Sequence, residues 1–415
     1  MAKDHPEPKL QRVIGLPGAV MLGLGSIIGT GVFVSLGIGV GIAGPMVLPA
    51  IALAGLVAVF NGLSSAQLAA NHPVSGGTYE YGHRWLNPTL GFIAGWMFLC
   101  AKSASAATAA LGIALYLMPD HSLPPALATV GVVTAITLSG IQRSNTVNTL
   151  IISVVLLTLL TFVAFGAPAI STHPERWQTA LNTERLTDLL PATAMMFVAF
   201  TGYGRIATLA EEVSEPRRTI PRAVIATLVI SVLLYTIVVW VALANTGNQF
   251  ESLAKVAEMF SGYTLGKVMT AGAAIAMVSV LLNLVLGLSR VVLAMGRRGD
   301  LPKATVHITE STKVPAVATI VVGCLITGLV CVGDMKLTWS FSAFTVLIYY
   351  SLTNMCAIRL KPEERLYPSW VAYAGFIACL SLAFFVEWRV MIAGLGLIAL
   401  GLIWKRFFWQ AAPAV

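Results

Sequence analysis

Long apolar runs separated by short polar links set the pattern of this chain. A membrane-crossing helix needs about 20 mostly apolar residues. Windows of that kind predict about twelve helices, at 13–38, 45–70, 88–118, 124–141, 146–168, 189–212, 220–244, 264–294, 315–333, 337–358, 367–386 and 389–408. Two of them, the first and the sixth, contain glycines where a helix interior disfavours them. GSIIGTGVF at 25–33 holds Gly25, Gly29 and Gly31, and FVAFTGYGRIATLAEE at 197–212 holds Gly202 and Gly204 beside Thr201. Each such glycine costs a helix about 1 kcal/mol relative to alanine.

Two physical readings of these glycines compete. Small residues let helices approach closely, and Gly25 and Gly29 are four apart, as in a small-xxx-small seam. The other reading is a break in the helix. Freed backbone in lipid is tolerated only where it lines a cavity or is buried in protein. N–H groups at the start of an outer half-helix suit a carboxylate. Carbonyls that end the inner half-helix, near Ser26 and Ile27, suit an ammonium group. The two glycine-bearing spans hold matching places in two runs of five, which is the sequence pointer to a midplane site in an inverted-repeat transporter.

Composition agrees with lipid as the solvent. The 415 residues are 57% hydrophobic and 11% charged, with mean hydropathy +0.83. Soluble domains carry about 25% charged residues. The expected class is therefore an all-α polytopic membrane protein. The first dozen residues, MAKDHPEPKLQR, form a polar tail (1–12) without a signal-peptide cleavage pattern. With that tail inside, 18 of the 26 Lys and Arg fall in inner segments. Six fall in outer ones (Arg176, Arg185, Lys255, Lys267, Lys336, Arg389), and Lys102 and Arg205 lie within spans. The positive-inside rule then puts both termini in the cytoplasm, and the plasma membrane, as a bacterial inner membrane, is the expected location. The net charge of +8 follows from this bias and calls for no nucleic-acid partner.

No HExxH, GxSxG or Walker pattern occurs, so neither an enzyme nor an ATP-driven pump is expected, and no cofactor is called for. The five cysteines lie in apolar segments without zinc spacing, so no metal site is expected. Oligomeric state is not legible.

Four motifs, in order, carry a family resemblance: GSIIGTGVF at 25–33, HPVSGGTYEYGHRWL at 72–86, AEEVSEPRRTIPRA at 210–223 and SRVVLAMGRRGDLP at 289–302. Along nearly its whole length the chain resembles the amino acid–polyamine–organocation (APC) superfamily of transporters. The resemblance implies a leucine-transporter-like 5+5 inverted repeat with discontinuous helices 1 and 6. The first repeat would cover 13–168 and the second 189–358, with two accessory helices in 367–408. It also implies alternating access. By position, it places the substrate carboxylate at the N–H groups of Thr30 and Gly31, near Ile28 and Gly29. The amine would meet carbonyls of Ile27 and of residues around Ala199 and Phe200, beside Thr201 and Gly202. Phe200 resembles the aromatic that closes over the solute, and 75–86 resembles a short helix at the inner exit.

Two departures from that pattern bear on specificity. Many relatives have an acid where Gly204 stands, followed here by Arg205. Lys102 lies mid-span where relatives generally have a small or neutral residue. Ionisable groups within spans are costly to bury and mark function by default. Arg205 is placed to reach Glu211 and Glu212 or an inner vestibule. Lys102 has two readings, since a desolvated lysine can exchange a proton near neutral pH, whereas a fixed positive charge selects substrates. Relatives that replace sodium with a span-five lysine have no counterpart here, where valine stands near Val155.

The expected substrates are neutral or acidic amino acids, moved with a proton or a counter-transported solute. Tyr203 and Arg205 join Lys102 and Phe200 as gating or coupling candidates. Ser279 and Asn283 are candidates for ion coupling, with interhelical hydrogen bonding as their alternative. Tyr349, Tyr350 and Asn354 line an outer gate or pack against span one. The rival functions are a polyamine or cationic amino acid carrier and a non-transporting sensor of the same fold.

Overall fold

Polar caps and prolines mark where several helices start. Asn87 accepts the Leu90 N–H at 2.8 Å and Pro88 occupies the first helical position, so the next helix begins there and runs to Leu117. Asp334 caps another by accepting from the Leu337 N–H at 2.9 Å. The structure, a computed structural model, describes residues 14–74, 76–140, 145–178, 186–208, 213–247 and 250–408. The expected tail at 1–12 and the acidic pair Glu211 and Glu212 lie outside the described residues.

The principal helices, in chain order, are α1 (Leu16–Ile27), α2 (Leu36–Ala43), α3 (Val47–Asn71), α4 (Thr78–Trp85), α5 (Pro88–Leu117), α6 (Leu123–Leu138), α7 (Asn145–Gly166) and α8 (Leu186–Phe200). They continue with α9 (Gly204–Thr208), α10 (Pro216–Thr246), α11 (Leu253–Ser261), α12 (Tyr263–Arg297), α13 (Ala316–Val330), α14 (Met335–Ile358), α15 (Ser369–Ala383) and α16 (Trp388–Phe408). Each apolar window of the sequence falls on one of these helices or on an interrupted pair. Among the described residues there is no strand, and the one isolated bridge joins Ile14 to Val213. Among the described residues seven helical runs are long and apolar enough to cross a membrane, and α6, α13 and α15 are shorter apolar helices. This is a polytopic, all-helical membrane architecture.

Helices α5 and α14 form the centre, joined by Ser105–Ser342 (2.7 Å) and Thr108–Thr338 (2.9 Å) hydroxyl pairs. At the periphery α7 exposes Leu150, Leu157, Leu160 and Phe165, an apolar face suited to lipid.

The first glycine-rich span breaks, but later than its glycines begin. Gly25, Ser26 and Ile27 stay helical, and the inner half-helix ends at Ile27. A Cβ on Gly25 would lie 2.7 Å from Asn148 Oδ1 on α7, so this glycine serves packing. Ile28 is extended (φ −80°, ψ 102°), and the chain regains helix through a π turn at Gly31–Ser35 before α2. The second break is milder. α8 tightens into a 3₁₀ turn at Thr201–Tyr203 and resumes as α9. The short helix expected within 75–86 is α4. Its entry uses Gly76 (φ +126°) and Gly77 (φ +56°), backbone angles that favour glycine.

Candidate functional site

The two breaks meet at Gly202. A Cβ there would overlap the Ser26 carbonyl and lie 2.7 Å from Ile27 Cγ1, so only hydrogen fits between the two backbones. Breaking a helix leaves carbonyls that need donors, and side chains from neighbouring helices supply them. The Tyr235 hydroxyl, from mid-α10, donates to the Ile27 carbonyl at 2.8 Å and lies 3.5 Å from that of Ala199. Gly31 makes room for that hydroxyl, because a Cβ on Gly31 would collide with it. Tyr350 donates to the Thr201 carbonyl at 3.2 Å, and the Thr201 hydroxyl donates to that of Val198 at 2.8 Å.

From this meeting point a cavity of about 760 Å³ runs along α12. Its wall follows one face of α12 from Val280 to Ala294, which spans about 20 Å at 1.5 Å per residue. At the deep end stand Ser26, Lys102, Thr201 and Gly202, and at the other end Glu80, Arg297 and Arg298. Arg290, Arg297 and Arg298 are exposed, whereas Lys102 is 9% exposed. The cavity therefore opens at the end of the bundle that carries α4.

The opposite side of the breaks is packed. Trp339 donates to the Met195 carbonyl at 3.0 Å, Tyr116 to that of Phe33 at 3.0 Å, and Gly112 sits between Met277 and Val34.

Lys102, Thr201, Gly202, Arg205 and Asn283 line the cavity. The Lys102 ammonium donates to Thr201 Oγ1 at 2.8 Å. Arg205 donates to the Asn283 carbonyl at 3.2 Å, which fixes it to α12 at the cavity wall. Ile27, Ile28, Thr30, Ala199, Phe200, Tyr203 and Ser279 are buried away from the wall, as is Gly31, while Gly29 packs on Val280. Phe200 lies against Tyr235, with ring centroids 5.2 Å apart. The Thr30 hydroxyl is buried with no hydrogen-bond partner among the described residues. Such a group costs about 1–3 kcal/mol unless a ligand or water completes it.

Tyr349 and Tyr350 line the α4-side cavity. Asn354 instead pairs with Asn61 on α3, a packing role. Sequence reasoning missed Tyr235 as well. Its only signal is one phenol in the apolar run SVLLYTIVVW, and nothing in that run says which way the ring points.

Helix α4 is tied to the end of α12. Arg298 forms a two-pronged ion pair with Glu80. Tyr79 donates to Asp300 Oδ2 at 2.6 Å, and burial followed by the nearby Asp300 charge raises its pKa, keeping it a proton donor. His83 shares an Nδ1 hydrogen bond with the Tyr79 carbonyl at 2.8 Å, and burial lowers its pKa below the ordinary imidazole value. It is therefore neutral at pH 7, and its 3.9 Å approach to Asp300 becomes an ion pair only in acid. Exposed ion pairs are worth about 0.2–1 kcal/mol, and the near-burial of Glu80 argues for the upper end, about 1 kcal/mol. Glu80→Arg should loosen α4 and raise its hydrogen exchange, and pairing it with Arg298→Glu should restore much of the protection. Absence of any rescue would mean that this ion pair does not hold the helix.

Comparison with known proteins adds a family. Residues 18–412 match the family model described as amino acid permease. An uncharacterized transporter of Mycobacterium tuberculosis is 38% identical over 96% of this chain and 91% of its own length. A branched-chain amino acid permease of Bacillus subtilis is 26% identical over 97% and 94%, respectively. A human protein named cationic amino acid transporter 4 is 26% identical over 88% of this chain and 62% of its own length.

Proposed function

The chain belongs to the amino acid permease family, and from that premise we propose that it is a secondary transporter of neutral or acidic amino acids working by alternating access. The observation that carries this reading is a cavity that reaches the meeting point of two helix breaks from one end only. On this reading the packed contacts on the far side belong to one of two end states. In the other, the cavity along α12 closes and the Trp339–Met195 and Tyr116–Phe33 contacts part. The amino group is received by the carbonyls of Ile27 and Ala199 and the carboxylate by the N–H groups of Thr30 and Gly31. Five-plus-five inverted repeats at 13–168 and 189–358, about twelve crossings and cytoplasmic termini complete the reading. On it the cavity mouth, with Arg297 and Arg298, faces the cytoplasm of a bacterial cell.

The names of the relatives point to branched-chain and to cationic amino acids. The cavity favours the former over the latter, because among the described residues its wall carries five cationic side chains against the one carboxylate of Glu80, and these repel a second positive charge. Coupling to a proton or exchange for a second solute fits a binding region where Lys102 supplies the fixed charge.

A thermal-shift screen of the purified protein against amino acids, organic acids and polyamines tests the reading. A ligand present at 100 times its Kd stabilises the folded state by about 2.7 kcal/mol. Stabilisation by at least one amino acid, with none by putrescine, is expected. Stabilisation by polyamines alone would overturn it.

A further inference from the structure

Resting on the amino acid transporter reading, we propose that the side-chain pocket is a carboxylate receptor centred on the Lys102 ammonium, which Thr201 holds in place, so that dicarboxylic amino acids are the preferred substrates.

Burying an ammonium group within a membrane span is costly. Lys102 lies mid-way along α5, is 9% exposed, and takes part in no ion pair among the described residues. Its one hydrogen-bond partner there is the neutral Thr201 hydroxyl. That hydroxyl spends its own proton on the Val198 carbonyl, so its lone pairs are turned toward the lysine. A lysine ammonium has three protons to donate. Two remain without a partner among the described residues, on a side chain that lines the cavity. A buried charge without a counter-charge is expensive, by several kcal/mol in most settings, and an anionic group delivered by the substrate removes most of that cost.

The remaining charge in the cavity points the same way. Among the described residues, Lys102, Arg205, Arg290, Arg297 and Arg298 line it, with Glu80 as the one carboxylate on its wall. Glu80 is held by both prongs of Arg298. A cleft of one sign with low-dielectric walls concentrates ions of the opposite sign. A loop bias toward basic residues accounts for arginines at the mouth, but not for a lysine at the closed end.

The amino acid's own carboxylate does not fill this role on the reading above, because the N–H groups of Thr30 and Gly31 receive it. Thr201, which holds Lys102, stands on the second break, one residue from the Gly202 contact with Ser26, so a group bound to Lys102 lies beside the backbone clamp. The anion that fits is a second carboxylate on the same molecule.

Glutamate and glutamine differ in charge and hardly in shape, so they separate charge recognition from fit. In proteoliposomes the wild-type protein should take up glutamate at least tenfold more efficiently than glutamine, by kcat/KM. Lys102→Gln should bring that ratio to within about twofold of one, and Lys102→Arg should keep a preference for glutamate. The thermal shift of the wild-type protein with glutamate against glutamine gives the same comparison where a variant folds poorly. Uptake of glutamine or leucine in preference to glutamate would overturn the carboxylate receptor while leaving amino acid transport intact. Failure to bind or carry any amino acid would overturn the transporter reading itself.

Discussion

Gly202→Ala is expected to lower transport by at least tenfold while the protein still inserts and folds. The added methyl would overlap the Ser26 carbonyl, and its other close neighbour is Ile27 Cγ1 at 2.7 Å. A side-chain tip can swing aside, but here the obstacle is the backbone of α1 at its end. Overpacking in a dense interior costs about 1–3 kcal/mol, and 1.36 kcal/mol is a factor of ten in a rate. The strain falls where the two breaks touch, so it separates α1 from the 3₁₀ turn. Two other glycines calibrate the effect. Gly204→Ala would meet the Tyr350 hydroxyl at 3.0 Å, the far end of a side chain, and should cost less. Gly41→Ala has open space around it and should be neutral. Initial uptake rates in proteoliposomes, normalised to folded protein, measure all three. Wild-type transport by Gly202→Ala would show that the close approach is not needed for the transport cycle.

Much of this architecture is legible in the chain because lipid restricts the choices. Apolar windows fall on helices, and paired glycine clusters mark where two of them break. The exact position of the first break is not legible, since Gly25 and Gly29 look alike in sequence. Only the neighbours differ, Asn148 and Ile152 against Gly25, Val280 and the Ala276 carbonyl against Gly29. Lys102 stands out in the sequence because charge is rare within spans, and the structure brings it to Thr201. Tyr235 does not stand out, because its role depends on the rotation of α10 relative to two other helices. Phe200 shows the same limit from the other side. An aromatic beside a break can cover a ligand or pack behind it, and here it packs on Tyr235.

Tyr235 carries the second large prediction. Its hydroxyl is hydrogen-bonded to the Ile27 carbonyl and lies within reach of the Ala199 carbonyl. These are the two groups proposed to receive the substrate amine, so in this conformation the phenol stands in for the ammonium. A substrate must then displace the hydroxyl, and the energy of that hydrogen bond is subtracted from its affinity. Net hydrogen bonds in proteins are worth about 0.5–1.5 kcal/mol, and a buried carbonyl stripped of its partner costs about 1–3 kcal/mol. Tyr235→Phe removes the competitor and leaves the carbonyl unsatisfied until an ammonium arrives. The variant should therefore lose thermal stability when empty and regain more of it than wild type on adding substrate. Its KM should fall severalfold, toward the tenfold that 1.4 kcal/mol allows. Release into the cavity should slow in proportion, so net uptake saturates earlier and at a lower rate. A loss of stability with unchanged KM would reduce Tyr235 to a structural tie between the breaks. A raised KM would mean that its hydroxyl contacts the substrate directly instead of standing in its place.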